Sequence, residues 1–314
     1  MSTTSTRSAD PFVHPALFYG DDEAYLAGTV PFVLGGLAAD EPVAVSVPGP
    51  KLRLLRSALG DAAERVTLLD MTRVGRNPGR IIPGVLRAFT DRHPDRRVRI
   101  VGEPIWPSRS EAEYAACAQH EALINHAFSG TEVTILCPYD SAGLSDQALA
   151  DAVATHPTLI DSTGERPSEG YAPDRVIAHY NRSLPPPSPA AVFTAVRSGT
   201  LAAVRRLATE YARHLGLVGE RLDDLLLTIS ELAANSLKHG GGTGMIHLWV
   251  DDHHVVCQVA DSGHITDPLA GRLPVPTDQL GGRGLLLVNH LADLVRVNST
   301  REGTTVEARF ALPA

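Results

Sequence analysis

Between residues 20 and 160 the apolar positions switch repeatedly between a helical period and short continuous runs. DDEAYLAGTVPFVLGGLAAD predicts a helix, and EPVAVSVPGP predicts a buried strand closed by Pro-Gly-Pro. KLRLLRSALG predicts a helix that stops at Gly60, followed by the strand RVTLLDM. Further along, IIPGVLRAFTDRH reads as a helix, RVRIVGEP as a strand, EAEYAACAQHEALINHAF as a long helix and EVTILCPYD as a strand. Strands alternating with helices predict a doubly wound, mostly parallel α/β sheet.

The periodicity then fades. DSTGERPSEGYAPDRVIAHYNRSLPPPSPA is rich in Pro, Ser and Gly, which predicts a linker, with residues 184–190 extended. Beyond it the order of elements changes. Two helices are expected over about 191–215 and 219–239, then the strands TGMIHLWVD and HVVCQVAD and a Pro/Gly-rich loop to residue 280. The helix GLLLVNHLAD and the strands LVRVNS and TTVEARFAL complete a two-layer α/β sandwich with its helices on one face of a largely antiparallel sheet. The expected division is a disordered tail over 1–10, an α/β domain over 11–165, the linker over 166–190 and a second domain over 191–314.

Composition agrees with two cores. A chain of 314 residues is too long for one ordinary core, and 43% hydrophobic with 20% charged residues describes a soluble globular protein. A net charge of -8 and a pI near 5.9, without any Lys/Arg-rich run, argue against nucleic acid as a direct partner. The N-terminus reads as neither signal peptide nor anchor, and no apolar run approaches the roughly 20 residues that span a bilayer. A cytoplasmic location without a membrane partner is expected. Cys117, Cys137 and Cys257 are scattered and odd in number, so no disulfide framework is expected. Cys117 and His120 share a helix face but His126 is rotated away, which favours packing over metal binding. His14 shows no evident partner.

In RLDDLLLTISELAANSLKHG, Leu222, Leu225, Leu226, Ile229, Ala233 and Leu237 recur at helical steps and form one stripe. Thr228, Glu231, Asn235 and Lys238 fall on another face, where a merely solvated surface would look the same. Downstream, VADSGH places Asp261 and Gly263 at the end of a strand, GGRGL opens a helix with unobstructed amides, and GTT opens the last strand.

These four signals, in this order and on these elements, resemble the GHKL (Bergerat) ATP-binding fold over residues 191–314. The resemblance implies that ATP and Mg2+ are the cofactors, with Asn235 as the Mg2+ ligand. It implies Asn235, Lys238, Asp261, Gly263, Gly282, Arg283, Gly284, Leu285 and Thr305 as the nucleotide contacts, Asp261 and Thr305 lying beside the adenine. Glu231 is implied as the base that orients or deprotonates the attacking hydroxyl or water. The first glycine box departs from the family pattern, because Ile265 stands where a second glycine is usual.

The compact domain and the ELAANSLKHG wording are similar to the anti-sigma factor serine/threonine kinases. That likeness implies a sigma factor and an anti-anti-sigma (STAS-type) protein as partners, the latter phosphorylated on Ser or Thr. An ATP-binding switch with weakened catalysis is the alternative. A sensor histidine kinase would need phosphate on His179 or His214.

No GxxxxGK[ST] occurs, so the first domain is not a working P-loop ATPase. Its strands end at Asp70, then Arg76 and Asn77; at Glu103, then Trp106 and Arg109; and at Cys137, Tyr139 and Asp140. These ends are where open parallel sheets bind ligands. HPALFYGDDEAYLAGTVPFVLGGL, DMTRVGRNPGRII, VGEPIWPSRS, CAQHEALINHAF and LCPYD resemble the MEDS sensory domain, a P-loop-ATPase-like fold without its nucleotide loop. This implies an unknown small-molecule signal, with Asp70, Arg76, Glu103, Trp106, Cys137, Tyr139 and Asp140 as candidate sensor-ligand residues. The pattern leaves the oligomeric state open, a homodimer being compatible with it.

Overall fold

A computed structural model describes residues 10–275 and 282–313. Residues 1–9 of the expected tail, and Gly281 at the head of GGRGL, lie outside the described residues. The chain divides into two compact units, one formed by Met1–Thr72, Ala88–Arg109 and Glu121–Pro173, the other by Arg73–Arg87, Ser110–His120 and Asp174–Ala314.

The first unit contains strands β1 (Pro15–Tyr19), β2 (Val43–Val47), β3 (Thr67–Asp70), β4 (Val98–Gly102), β5 (Val133–Asp140), β6 (Thr158–Asp161) and β7 (Gly164–Pro167). They form one sheet in the order β3-β2-β4-β5-β1-β6-β7, parallel throughout except for the edge pair β6–β7. All five residues of β2 are buried, as a strand covered on both faces requires. Between the strands run α1 (Asp22–Ala38), α2 (Gly49–Leu59), the single turns α3 (Met71–Val74) and α4 (Ala88–Thr90), the long α5 (Glu111–Phe128) and α6 (Asp146–Thr155). The Asp21 carboxylate caps α1 by accepting from the Ala24 amide at 2.8 Å, and Asp22 and Glu23 suit the positive end of the helix dipole.

Several elements differ from the sequence expectation. β1 is short and begins at a proline, yet it occupies a central position between β5 and β6, so strand pairing rather than local pattern makes it a strand. The expected helix after Ile81 is wound as a π-helix over Ile82–Arg87, with Pro83 near its start, and runs on into α4. The expected linker takes in the end of β7 and the whole of α7 (Pro173–Tyr180), which buries Val176 and Tyr180.

The second unit has a five-stranded antiparallel sheet in the order β11-β12-β10-β9-β8, formed by β8 (Val192–Val196), β9 (Gly244–Asp251), β10 (His254–Asp261), β11 (Leu294–Thr300) and β12 (Gly303–Ala311). Its helices are α8 (Leu201–His214), α9 (Gly219–His239) and α10 (Gly284–Leu291). The expected helix over 191–215 therefore starts as an edge strand. The VFTAV run pairs antiparallel with β9, and Gly199, at φ +83°, turns the chain into α8.

α9 packs the predicted stripe into the core. Leu222, Leu225, Leu226, Ile229 and Ala233 share one buried cluster with Val255, Cys257, Val259 and Phe310, Leu237 packs half-buried against it, and Leu232, outside the stripe, joins it. Each large aliphatic side chain buried there contributes roughly 1.5–3 kcal/mol. Thr228, expected on the polar face, is instead fully buried, because a 21-residue helix wedged between α8, α10 and the sheet covers more than one stripe. Among the described residues no helix is long and apolar enough to cross a membrane.

Candidate functional site

A cavity of about 460 Å³ opens in the second unit, lined by the C-terminal half of α9, the end of β10 with the loop that follows it, the start of α10 and the first part of β12. The sequence explains why these parts meet. β10 pairs with β12 so that Asp261 stands opposite Thr304, and α9 lies across the same sheet with Asn235 and Ser236 in its last turns.

Asp261 is held on both carboxylate oxygens. Ser236 Oγ donates to Oδ2 at 2.6 Å, and the Gly263 amide donates to Oδ1 at 2.8 Å. A carboxylate fixed in this way keeps its remaining lone pairs for a donor inside the cavity. Thr304 Oγ1 donates to the Gly263 carbonyl at 2.9 Å and lies 2.7 Å from Ser299 Oγ, which in turn accepts from the Ile265 amide at 2.8 Å. The loop after β10 is thus tied to the sheet by a chain of hydroxyls.

Two glycines permit close approach. A Cβ on Gly263 would lie 2.6 Å from the His239 carbonyl oxygen, and one on Gly284 would lie 2.9 Å from Glu231 Oε2 and 3.3 Å from Asn235 Nδ2. The start of α10 is therefore pressed against the Glu231–Asn235 edge of α9. Arg283, the N-cap of α10, provides no side-chain cap, so the first-turn amides are left to other acceptors.

Of the residues expected to contact nucleotide, Asn235, Asp261, Gly263, Gly282, Gly284 and Leu285 line this cavity, and Glu231 borders it through Gly284. Lys238 and Arg283 are exposed and lie outside its lining. Thr305 is replaced in the lining by its neighbour Thr304, because alternation along β12 sends successive side chains to opposite faces. Ile265 also lines the cavity. Sequence reasoning missed Ser236, although it stands beside Asn235 in the helix motif, and Ser299, which has no local signal.

Of the expected sensor residues, Arg76 falls in the second unit and Asp70, Glu103, Trp106, Cys137, Tyr139 and Asp140 fall in the first. Arg76 pairs with Asp293 within the second unit. Asn77, in the same unit, is fully buried, donating to the Asn289 carbonyl at 2.8 Å and accepting from the Gly79 amide at 3.0 Å. In the first unit Asp70 accepts from the Thr72 amide and hydroxyl at 3.0 and 2.7 Å, and Asp140 accepts from the Ala142 and Gly143 amides, both at 3.0 Å. These two carboxylates close turns. Trp106 is covered by the Arg109 guanidinium, 3.8 Å from its ring centroid.

Glu103 is buried and accepts from Tyr19 Oη at 2.8 Å. Burial pushes its carboxyl up to about 8, against the lowering effect of that hydrogen bond. Lys51 sits over the rings of Tyr19 and Tyr25, 4.5 and 4.7 Å from their centroids. Cys137 and Tyr139 are buried beside histidines, Cys137 Sγ lying 3.4 Å from His14 Nε2 and the Tyr139 ring 5.4 Å from that of His156. Cys117 and His120 are buried on α5 while His126 is exposed, so those three do not converge.

No curated protein sequence matches the chain. Residues 13–157 match the family model described as the MEthanogen/methylotroph, DcmR Sensory domain, or MEDS, and residues 194–310 match that of the histidine kinase-like ATPase domain. Among solved structures the chain is similar to the crystal structure of the RsbU and RsbW domains of Rv1364c from Mycobacterium tuberculosis, at 20% identity and a TM-score of 0.31, over 42% of this chain and 35% of that one. The chain thus spans about a third of that protein's length. It carries an N-terminal MEDS sensory domain and a C-terminal histidine kinase-like ATPase domain.

Proposed function

We propose that the second domain binds ATP with Mg2+ and acts as an anti-sigma kinase under the control of the sensory domain. The observation that carries this reading is the fixed Asp261 carboxylate in a 460 Å³ cavity bordered by Asn235, the glycines of α10 and Glu231. The residues fit the nucleotide: Asp261 offers an acceptor for an exocyclic amino group, and Gly263 leaves room for a planar base. The uncapped amides at Gly284 and Leu285 suit phosphate oxygens. Asn235 offers an amide oxygen, a hard donor suited to Mg2+. When bound, ATP supplies the phosphoryl group and the metal neutralises its charge.

Glu231 then stands where a base is needed. Its carboxylate takes the proton of a Ser or Thr hydroxyl of an anti-anti-sigma protein as that oxygen bonds to the γ-phosphorus and ADP departs. The same domain holds a stress-response sigma factor, released when the antagonist is unphosphorylated. A second reading, an ATP-binding switch with weakened catalysis, is favoured by Ile265, which lines the cavity where the family pattern has glycine.

Incubating the full chain with γ-labelled ATP, Mg2+ and its cognate antagonist is the test. Label on the antagonist, lost in Glu231→Ala, is the expected result. An unlabelled antagonist with both proteins overturns the kinase reading, and capture of the sigma factor by Asn235→Ala would then select the second.

A further inference from the structure

Four side chains from separate parts of the first unit converge on one point. His14 precedes β1, Glu121 lies on α5, Cys137 on β5, and His156 follows the last turn of α6. One ligand atom from each lies within 4.8 Å of all the others, and none of the four residues is more than 1% exposed. His156 Nε2 is 3.1 Å and His14 Nε2 3.6 Å from the same oxygen, Glu121 Oε2, while Cys137 Sγ is 3.4 Å from His14 Nε2. A tetrahedral ion with ligands at about 2.0–2.3 Å places its donor atoms roughly 3.3–3.7 Å apart, the spacing of these three contacts to within a few tenths of an ångström.

The outer hydrogen bonds decide which way the imidazoles are protonated. His156 Nδ1 is 2.8 Å from the Ala152 carbonyl oxygen, which can only accept, so Nδ1 carries the hydrogen. Asn125 spends its amide nitrogen on the carbonyls of Glu121, Ala122 and Thr155 at 3.3, 3.2 and 2.9 Å. Its Oδ1 therefore faces His14 Nδ1, at 3.1 Å, and makes that nitrogen a donor too. In the neutral rings both Nε2 atoms then present lone pairs toward one carboxylate oxygen. Nitrogen, oxygen and sulfur donors gathered within 4.8 Å of one another in a buried space suit a cation. Imidazoles whose second nitrogen is engaged by a carbonyl or an amide oxygen are also the usual outer arrangement of metal-binding histidines.

We propose that His14, Glu121, Cys137 and His156 form a closed site for a zinc-class divalent transition metal. Two imidazoles, a thiolate and a carboxylate suit a borderline-soft ion and exclude Mg2+, which prefers oxygen alone. Charge balances as well: Cys137 releases its thiol proton to solvent on binding, so one thiolate and one carboxylate neutralise a doubly charged ion without any redox change. With four protein ligands the site has no open position for substrate. Its role is to tie the entry to β1 to α5, β5 and the end of α6, making the folding of this unit depend on metal.

The test is the metal content of the full chain, purified without chelator, followed by exchange with Co2+. About one zinc per chain is expected, and the cobalt form should show a thiolate charge-transfer band with the intense visible bands of tetrahedral coordination. Cys137→Ala should lose the charge-transfer band, whereas Cys257→Ser, which alters a buried cysteine of the second unit, should retain it. Folded wild-type chain that holds no stoichiometric zinc and gives no such band overturns the proposal, whether or not the variants fold. A cobalt–thiolate band that persists in Cys137→Ala also overturns it.

Discussion

The cavity of the second unit and the polar cluster of the first are built in opposite ways. The cavity draws on short strings at the ends of elements, with Asn235 and Ser236 adjacent in α9 and Asp261 two residues from Gly263. The cluster draws single residues from across the first unit, His14 meeting Cys137 over a separation of 123 residues. The first arrangement leaves side chains facing open space, as a site that exchanges ligands must. The second leaves nothing exposed and satisfies its outer nitrogens internally. A string motif marks a place where a ligand enters, whereas dispersed, buried donors mark a place where the fold itself closes.

Buried Glu103 offers the largest expected effect and tests whether the first unit tolerates charge in its interior. Its folded value, about 8, lies above the ordinary carboxylate value, so the folded state holds a proton that the unfolded chain gives up. Stability of this unit should therefore fall as pH rises from about 4.5 to about 8, with the cost fully present above that window. Glu103→Gln, which can still accept from Tyr19, should remove the slope and raise stability at pH 8.5 by about 2–4 kcal/mol, as read by urea unfolding. An unchanged slope would mean that the interior of the first unit is more solvated than its packing indicates.

A smaller effect distinguishes neighbours in the second unit. Thr304→Val removes the hydroxyl that joins Ser299 to the Gly263 carbonyl and should cost about 0.5–1.5 kcal/mol with weaker nucleotide binding. Thr305→Val should leave binding unchanged. Equal effects on binding from the two substitutions would erase the distinction drawn from strand alternation.

The difference between the units also governs what the sequence revealed. The apolar stripe of α9 and the alternation of helices and strands in the first unit were legible because they repeat locally. β1 and β8 were not, since PALFY and VFTAV become strands only by pairing with β5, β6 and β9. Likewise Asn235 and Asp261 could be singled out from their strings, whereas His14 had no visible partner and Cys137 could be placed only at a strand end. Thr305 and its cavity-lining neighbour Thr304 show how finely a motif must be placed: in a strand one residue reverses the face.

Calorimetric titration of the full chain with ATP and with GTP, each with Mg2+, tests the nucleotide site most directly when repeated on Asp261→Asn. The carboxylate fixed by Ser236 and Gly263 should favour ATP by about tenfold or more, a difference of at least about 1.4 kcal/mol, and the substitution should abolish that preference. Equal affinity for both nucleotides in the wild type, or a preference for ATP that survives Asp261→Asn, would contradict it.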